Sequence, residues 1–318
     1  MFGLLALWAI MALSFPLAKM ALVYADAPLQ LIGLRMTLAG CIILVFLLVR
    51  QFYQKGSFFF TSPSAYDLII FLKVAIFHVY LAFVPEFWAL QFLDSLKANL
   101  LFSLTPFVSA LLSFALLAKR LQKMQFFSLL LGSVGMLLIM LTQNLAEANL
   151  KALLFFSMPE LALMLGVVSA CYAWFEIRKL MLQGYDLLLI NGIAFLLGGL
   201  FCLAQHSFFG GSAARLLPAT AAPELLLWIC GLILCSNILG YHLYGKLLHR
   251  YSSTFLSFTG FLCPIFGAVY AKFFAQIFPQ QFCAEPISGF YVAGFLIILL
   301  ALGIFYAQEI KEQSSAFF

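Results

Sequence analysis

An acidic side chain inside an apolar run is the first feature of this sequence able to do chemistry. Glu86 stands with Phe83, Phe87 and Trp88, and Tyr80 lies further along the same run. A carboxylate among aromatic rings can hold an amine or another cationic centre, with cation–π attraction added by the rings, and it can serve as a proton carrier. Arg35 is the complementary group, a planar fork of donors that suits a carboxylate. Two uses of the pair stand side by side. Glu86 and Arg35 neutralise each other as a buried ion pair, or they take the two ends of a zwitterion.

Polar stripes supply further candidates. Asn237, Tyr241 and Tyr244 recur at i, i+4 and i+7, so an α-helix gathers them on one face beside Gly240. Helix packing through tyrosine hydroxyls and a cavity wall that stacks and hydrogen-bonds a substrate both account for this stripe. Ser169, Tyr172 and Glu176 form a second one, continued by Lys179. There Glu176 is close enough to a span end to be solvated or to pair with Arg178 or Lys179. Trp8, Phe15 and Lys19 share a third face, with Phe15 a candidate contact for substrate and Lys19 placed to snorkel. Asn99, Ser103 and Pro106 share a fourth, and Ser257 with Pro264 repeats the motif. Proline frees a backbone carbonyl, which in lipid must be satisfied or must line water, so Pro106 and Pro264 predict helix kinks beside a cavity. Gly132 and Gly135, and Gly289 and Gly294, predict close helix approach.

The elements that must position these groups follow from composition. With 65% hydrophobic and only 9% charged residues, 318 residues cannot cover a soluble surface, so lipid is the natural solvent. The net charge of +5 does not mark a nucleic-acid partner, because the 17 Lys and Arg are scattered in ones and twos rather than gathered in a patch. About 20 apolar residues cross the hydrocarbon core. Ten such runs occur, at 2–23, 28–49, 67–91, 95–117, 124–142, 159–181, 186–207, 224–246, 251–275 and 287–308. The first is read as a membrane helix rather than a signal peptide. No basic segment precedes it, Pro16 and Lys19 interrupt it, and Pro28 follows the Ala25-Asp26-Ala27 triplet directly.

Orientation follows from loop charge, since cytoplasmic loops retain Lys and Arg. A cytoplasmic N-terminus puts Arg50, Lys55, Lys119, Arg120, Lys123, Arg178, Lys179, Lys246, Arg250 and Lys311 inside and leaves only Lys151, Arg215 and Lys272 in the outer loops. Both termini are then cytoplasmic, in a bacterial inner membrane.

An internal repeat appears when the halves are aligned. Ser95, Leu104, Pro106 and Ala110 return at one constant offset as Ser253, Leu262, Pro264 and Ala268, while Phe15 and Lys19 return as Phe175 and Lys179. The chain divides into a first five-helix repeat at 1–142, a connecting loop at 143–158, a second repeat at 159–310 and a cytoplasmic tail at 311–318. Five is odd, so the second repeat enters the membrane from the opposite side. The expected fold is therefore all-α integral membrane, with ten transmembrane helices as two inverted repeats, which provides two states of similar energy for alternating access.

Other function classes lack their signatures. The four His, at 78, 206, 242 and 249, form no H-E-x-x-H motif, and there is no phosphate-binding glycine loop or cluster of aspartates at membrane depth. The seven cysteines include no C-x-x-C pair. Neither an enzyme nor a metal or other cofactor is expected, and a channel has no need of inverted repeats. The expected partners are a small-molecule substrate and the bilayer, with the chain a monomer or weak homo-oligomer.

On these residues the sequence resembles the EamA-type, ten-helix members of the drug/metabolite transporter superfamily over nearly its whole length. The resemblance rests on Ser14-Phe15-Pro16-Leu17-Ala18-Lys19, on Pro28 and Leu34-Arg35, on the run from Ala98 to Pro106, and on Leu262-Cys263-Pro264. Lys119-Arg120 stands where an acidic residue commonly follows the fourth helix. The resemblance implies a secondary transporter with a central cavity walled by helices one to four and six to nine. Together with Glu86 and Arg35 it points to an amino acid or an amino-acid-containing zwitterion, with other metabolites or drugs as the alternative. The Phe-rich loops resemble the branch from obligate intracellular bacteria that exchanges S-adenosylmethionine for S-adenosylhomocysteine.

Overall fold

The computed structural model describes residues 2–55, 64–93, 98, 101–102, 104–117, 122–144, 157–209, 222–282 and 289–315. Its main helices are α1 (Phe2–Tyr24), α2 (Pro28–Lys55), α3 (Ala65–Leu90), α4 (Thr105–Leu117) and α5 (Lys123–Asn144), followed by α6 (Met158–Leu182), α7 (Leu187–Phe209), α8 (Ala222–Leu248), α9 (Ser253–Ile277) and α10 (Gly289–Ser315). Among the described residues there is no strand. Eight of these helices are long and apolar enough to cross a bilayer, and α4 and α5 contribute shorter apolar segments. Unpaired backbone groups are costly in hydrocarbon, which is why a chain of this composition is helical throughout its spans. Large apolar side chains point outward, as Ile42, Val45 and Phe46 do on α2 and Phe126, Leu130 and Val134 on α5.

Local sequence sets the helix ends. Ser64 and Asp67 cap the start of α3 reciprocally, side chain to backbone in both directions. The turn after α6 needs a left-handed residue, which Gly184 supplies at φ +93°, and Tyr185 N then donates back to the Leu180 carbonyl. The same turn is tied sideways, because the Tyr185 hydroxyl donates to Asp67 at 2.8 Å and Asp186 pairs with Arg50 at 3.8 Å.

The main helix pairings are unchanged when each helix is exchanged for the one five places away. The α2–α7 and α5–α10 pairs map onto themselves, α3 with α6 becomes α8 with α1, and α4 with α6 becomes α9 with α1. Lipid supplies no hydrophobic drive between helices, so close approach depends on small residues. A Cβ on Gly135 would lie 2.7 Å from the Gly294 carbonyl oxygen, and one on Gly294 would lie 2.5 Å from that of Gly135. Backbone-to-backbone contact there requires glycine on both α5 and α10. Gly132 instead lies beneath the Phe261 ring, and Gly289 has open space around it.

Three interruptions position the cavity. The centres of α3, Ala75–Tyr80, and of α8, Ile233–Gly240, are π-helical. Their first residues, 75 and 233, are separated by the same offset of 158 as Pro106 and Pro264. The third is in α9, where a 3-10 turn at Thr259–Leu262 precedes Pro264. Pro106 holds the matching position as the second residue of α4.

Candidate functional site

A cavity of about 100 Å³ lies where α1, α3, α4, α6, α8 and α9 converge. Its lining follows the repeat closely. Met11 and Cys171, and Ser14 and Trp174, are 160 residues apart, while Phe83 and Tyr241, Glu86 and Tyr244, Phe102 and Gly260, and Thr105 and Cys263 are 158 apart. The frame is thus nearly two-fold, and the chemistry set on it is not. Among the described residues Glu86 is the one charged side chain in the lining, and Tyr244 stands at the matching place opposite.

Glu86 is buried, on the α3 face directed at the cavity. Arg35 lies behind it. The guanidinium rests over the rings of Phe83 and Phe87, 5.0 and 5.7 Å from their centroids, and its Nε donates to Asn237 Oδ1 at 2.9 Å. Asn237 Nδ2 in turn donates to Met36 Sδ at 3.2 Å, which joins α2, α3 and α8. Arg35 and Glu86 interact electrostatically, but among the described residues they form no salt bridge, and Arg35 Nη2 is buried with no hydrogen-bond partner. The carboxylate therefore sits beside a positive potential while its own face stays open to the cavity.

Aromatic rings make up most of the remaining wall. Trp174 stacks on Tyr244 at 4.0 Å between centroids and lies nearly parallel to Tyr241 at 5.7 Å. Trp8 is held by a hydrogen bond from its Nε1 to Thr259 Oγ1 at 2.6 Å, and the Thr259 hydroxyl donates onward to the Leu256 carbonyl. Phe15 packs edge-on against Phe102, and both line the cavity. A cationic centre meets ring faces and one carboxylate here, while a flat heteroaromatic group meets a stacking surface.

Of the residues picked out from sequence, the structure brings Glu86, Phe15, Tyr241 and Tyr244 to the lining. Arg35 and Asn237 form the layer behind it. Asn237 leaves the stripe because it lies in the π-helical turn, whose wider spacing shifts its phase against Tyr244 and turns it toward α2. Tyr80 and Trp88 are elsewhere. At about 100° per residue, six positions put Tyr80 roughly 240° round the helix from Glu86 and two put Trp88 roughly 200° round it. The Tyr80 hydroxyl accordingly donates to Gln205 on α7, and Trp88 packs against Phe92 on the exposed side. Tyr172 lies against Phe77 and hydrogen-bonds to Glu176, which Lys179 engages at 2.9 Å, all outside the cavity. Asn99 lies outside the described residues.

Sequence reasoning missed Trp174, Met11 and Cys171. The signal was present, since Trp174 stands 160 residues after Ser14 of the Ser-Phe-Pro motif. Applying the offset to every polar position would have found it.

Known proteins resemble this chain in sequence and in fold. Residues 1–141 match the model of the EamA-like transporter family. Over 304 residues the chain is 29% identical to a protein of Chlamydia muridarum named S-adenosylmethionine/S-adenosylhomocysteine transporter, a match covering 94% of this chain and 89% of that one. A protein of the same name from Chlamydia trachomatis is 28% identical, over 94% of this chain and 86% of its own. One crystal structure of a protein superposes with a TM-score of 0.66 over 97% of this chain and 96% of the other, at 16% identity, a likeness of fold alone.

Proposed function

We propose that this chain, a transporter carrying an EamA domain of the drug/metabolite transporter superfamily, exchanges S-adenosylmethionine for S-adenosylhomocysteine by alternating access. The observation that carries the reading is a single carboxylate, Glu86, facing an aromatic cavity without a salt bridge to Arg35 among the described residues. A sulfonium is a permanent cation, so it gains from both the carboxylate and the ring faces. Adenine is flat and stacks on tryptophan or tyrosine, a contact worth about 1–3 kcal/mol per base where aromatic residues have been replaced by alanine. The names of the chlamydial relatives support the same substrates.

In this reading Glu86, Phe15, Trp174, Tyr241 and Tyr244 contact substrate, and Arg35 with Asn237 holds the α3 wall in place. The two repeats, 1–142 and 159–310, exchange conformations as the cavity changes side. Both termini face the cytoplasm of a bacterial inner membrane. The basic ends of α2 and α8 support this, because Arg50 pairs with Asp186 and both act on His242 together with Lys246 at one end of the bundle. The chain works as a monomer or weak homo-oligomer. A cysteine placed at position 148 should react with an impermeant reagent from outside, and reaction only from the cytoplasm would reverse the topology.

Purified protein in liposomes loaded with S-adenosylhomocysteine should take up external radiolabelled S-adenosylmethionine, saturably and faster than empty liposomes do. Equal uptake with and without internal substrate would exclude exchange. A melting temperature raised by amino acids but by neither S-adenosyl compound would favour the broader amino-acid reading.

A further inference from the structure

His78 is buried at the centre of α3, and among the described residues neither of its ring nitrogens has a hydrogen-bond partner. Its surroundings are aromatic. The imidazole stacks on Phe195 and meets Tyr241 and Trp174 edge-on, at centroid distances of 5.8, 4.8 and 5.1 Å. Tyr241 and Trp174 both line the cavity, so His78 is separated from it by the thickness of one ring. A buried polar group with no partner costs free energy, and a chain under selection for stability alone would place an apolar ring here.

The repeat offers an account of that cost. His78 lies 158 residues before Ser236, the same offset that relates four first-half wall residues, Phe83, Glu86, Phe102 and Thr105, to their counterparts in the wall. Both residues sit within π-helical turns, Ala75–Tyr80 and Ile233–Gly240, and such turns recur at functional sites. Ser236 lines the cavity and His78 does not. The two halves thus differ at this equivalent position, as they do at the other unpaired lining residues Trp8, Phe15, Ala82 and Ala170, and His78–Ser236 is the unpaired position where both side chains are polar. In an inverted-repeat transporter, reorientation carries each half toward the conformation the other held. Lining residues present as a pair therefore stay in the wall, and an unpaired one is replaced by its counterpart.

We infer that His78 is a substrate-contacting residue of the opposite access state, entering the cavity as Ser236 leaves it and hydrogen-bonding a polar group of the substrate through its ring nitrogens. The inference rests on alternation between inverted repeats, not on which substrate is carried. It also explains the aromatic cage, since Tyr241 and Trp174 screen the imidazole from the cavity in the state seen here and need only a ring rotation to uncover it. The two access states then differ in chemistry as well as in direction. A hydroxyl serves in one and an imidazole in the other, so the affinities on the two membrane faces need not be equal.

Accessibility and transport test separate parts of the idea. In a parent with its cysteines changed to serine and an unaltered melting temperature, His78→Cys and Ser236→Cys are treated with a membrane-impermeant methanethiosulfonate in right-side-out and inside-out vesicles. The two should react from opposite faces. Reaction of both from the same face, or none at His78→Cys from either, overturns the inference whatever the substrate. His78→Phe keeps the aromatic packing and deletes the nitrogens, so it should fold with equal or higher thermal stability. With S-adenosylmethionine as the probe, its KM should rise roughly tenfold on one face and stay within about twofold on the other, as expected for one lost hydrogen bond. Unchanged KM on both faces would remove the binding role. If wild-type protein carries no S-adenosyl compound, the proposed substrate falls, and the labelling experiment still decides the place of His78.

Discussion

Glu86 and Glu176 both lie in membrane-spanning helices of this molecule, and their surroundings differ. Glu176 on α6 is held by Lys179 one turn later and by the Tyr172 hydroxyl, at the basic end of the helix. Glu86 on α3 has no salt bridge with Arg35, although Arg35 is nearby and fully buried. The first arrangement neutralises a charge. The second holds a charge ready, with a cation behind it for potential and aromatic walls in front. A buried acid in lipid is costly, so the absence of a salt bridge to Arg35 at Glu86 supports the proposal that its partner is the substrate.

The widest separation between the two acids should come from charge removal at the cavity. Glu86→Gln keeps size and hydrogen-bonding ability, and uptake of S-adenosylmethionine should fall roughly a hundredfold, about 3 kcal/mol, the upper range for a charged hydrogen bond. The purified variant should melt within a few degrees of wild type. A large loss of melting temperature, or full transport in a variant that also carries Arg35→Met, would show that Glu86 exists only to neutralise Arg35.

Arg35→Met alone tests the layer behind the acid. It removes two cation–π contacts and leaves the Asn237 carbonyl without its donor, for about 2 kcal/mol of lost stability, read as a lower melting temperature in detergent. Equal stability with weaker substrate binding would instead place Arg35 against the substrate itself.

Trp174→Ala should weaken S-adenosylhomocysteine binding about tenfold, near 1.4 kcal/mol, with Trp174→Phe retaining most of it. Calorimetric titration separates the two variants. Equal losses would mean that the indole nitrogen, rather than the ring face, makes the contact.

The smallest effect belongs to Glu176→Gln. Lys179 is 46% exposed, so solvent screens that pair and its loss should cost under about 1 kcal/mol, with transport within about twofold of wild type. A tenfold loss of transport would make Glu176 a second functional acid and dissolve the comparison.

Much of this was readable from the chain. Apolar runs of membrane length are set by composition, and nine of the ten coincide with a described helix to within a few residues. The fourth, expected at 95–117, coincides in its described part, Thr105–Leu117. Glu86 was legible because an acid among Phe83, Phe87 and Trp88 cannot face lipid cheaply. Tyr80 and Trp88 were not, because nearness in sequence was allowed to stand for a shared face. Asn237 was lost for a subtler reason, since i, i+4, i+7 spacing assumes an unbroken α-helix and the π-turn at Ile233–Gly240 adds to the spacing. Trp174 required comparison of the two halves position by position.

By itself the sequence determined a membrane-embedded, all-helical chain with a repeated design and a buried acid, because hydropathy, helix length and repeat offset are local or linear properties. Only the tertiary structure decided which faces of α1, α3, α6 and α8 meet, that Arg35 stands behind Phe83 rather than on Glu86, and that His78 is closed off by Tyr241 and Trp174. Those are questions of rotation about helix axes. In lipid, where both faces of a span are apolar, rotation is fixed by close packing at residues such as Gly135 and Gly294 and by irregular turns, neither of which a hydropathy pattern records.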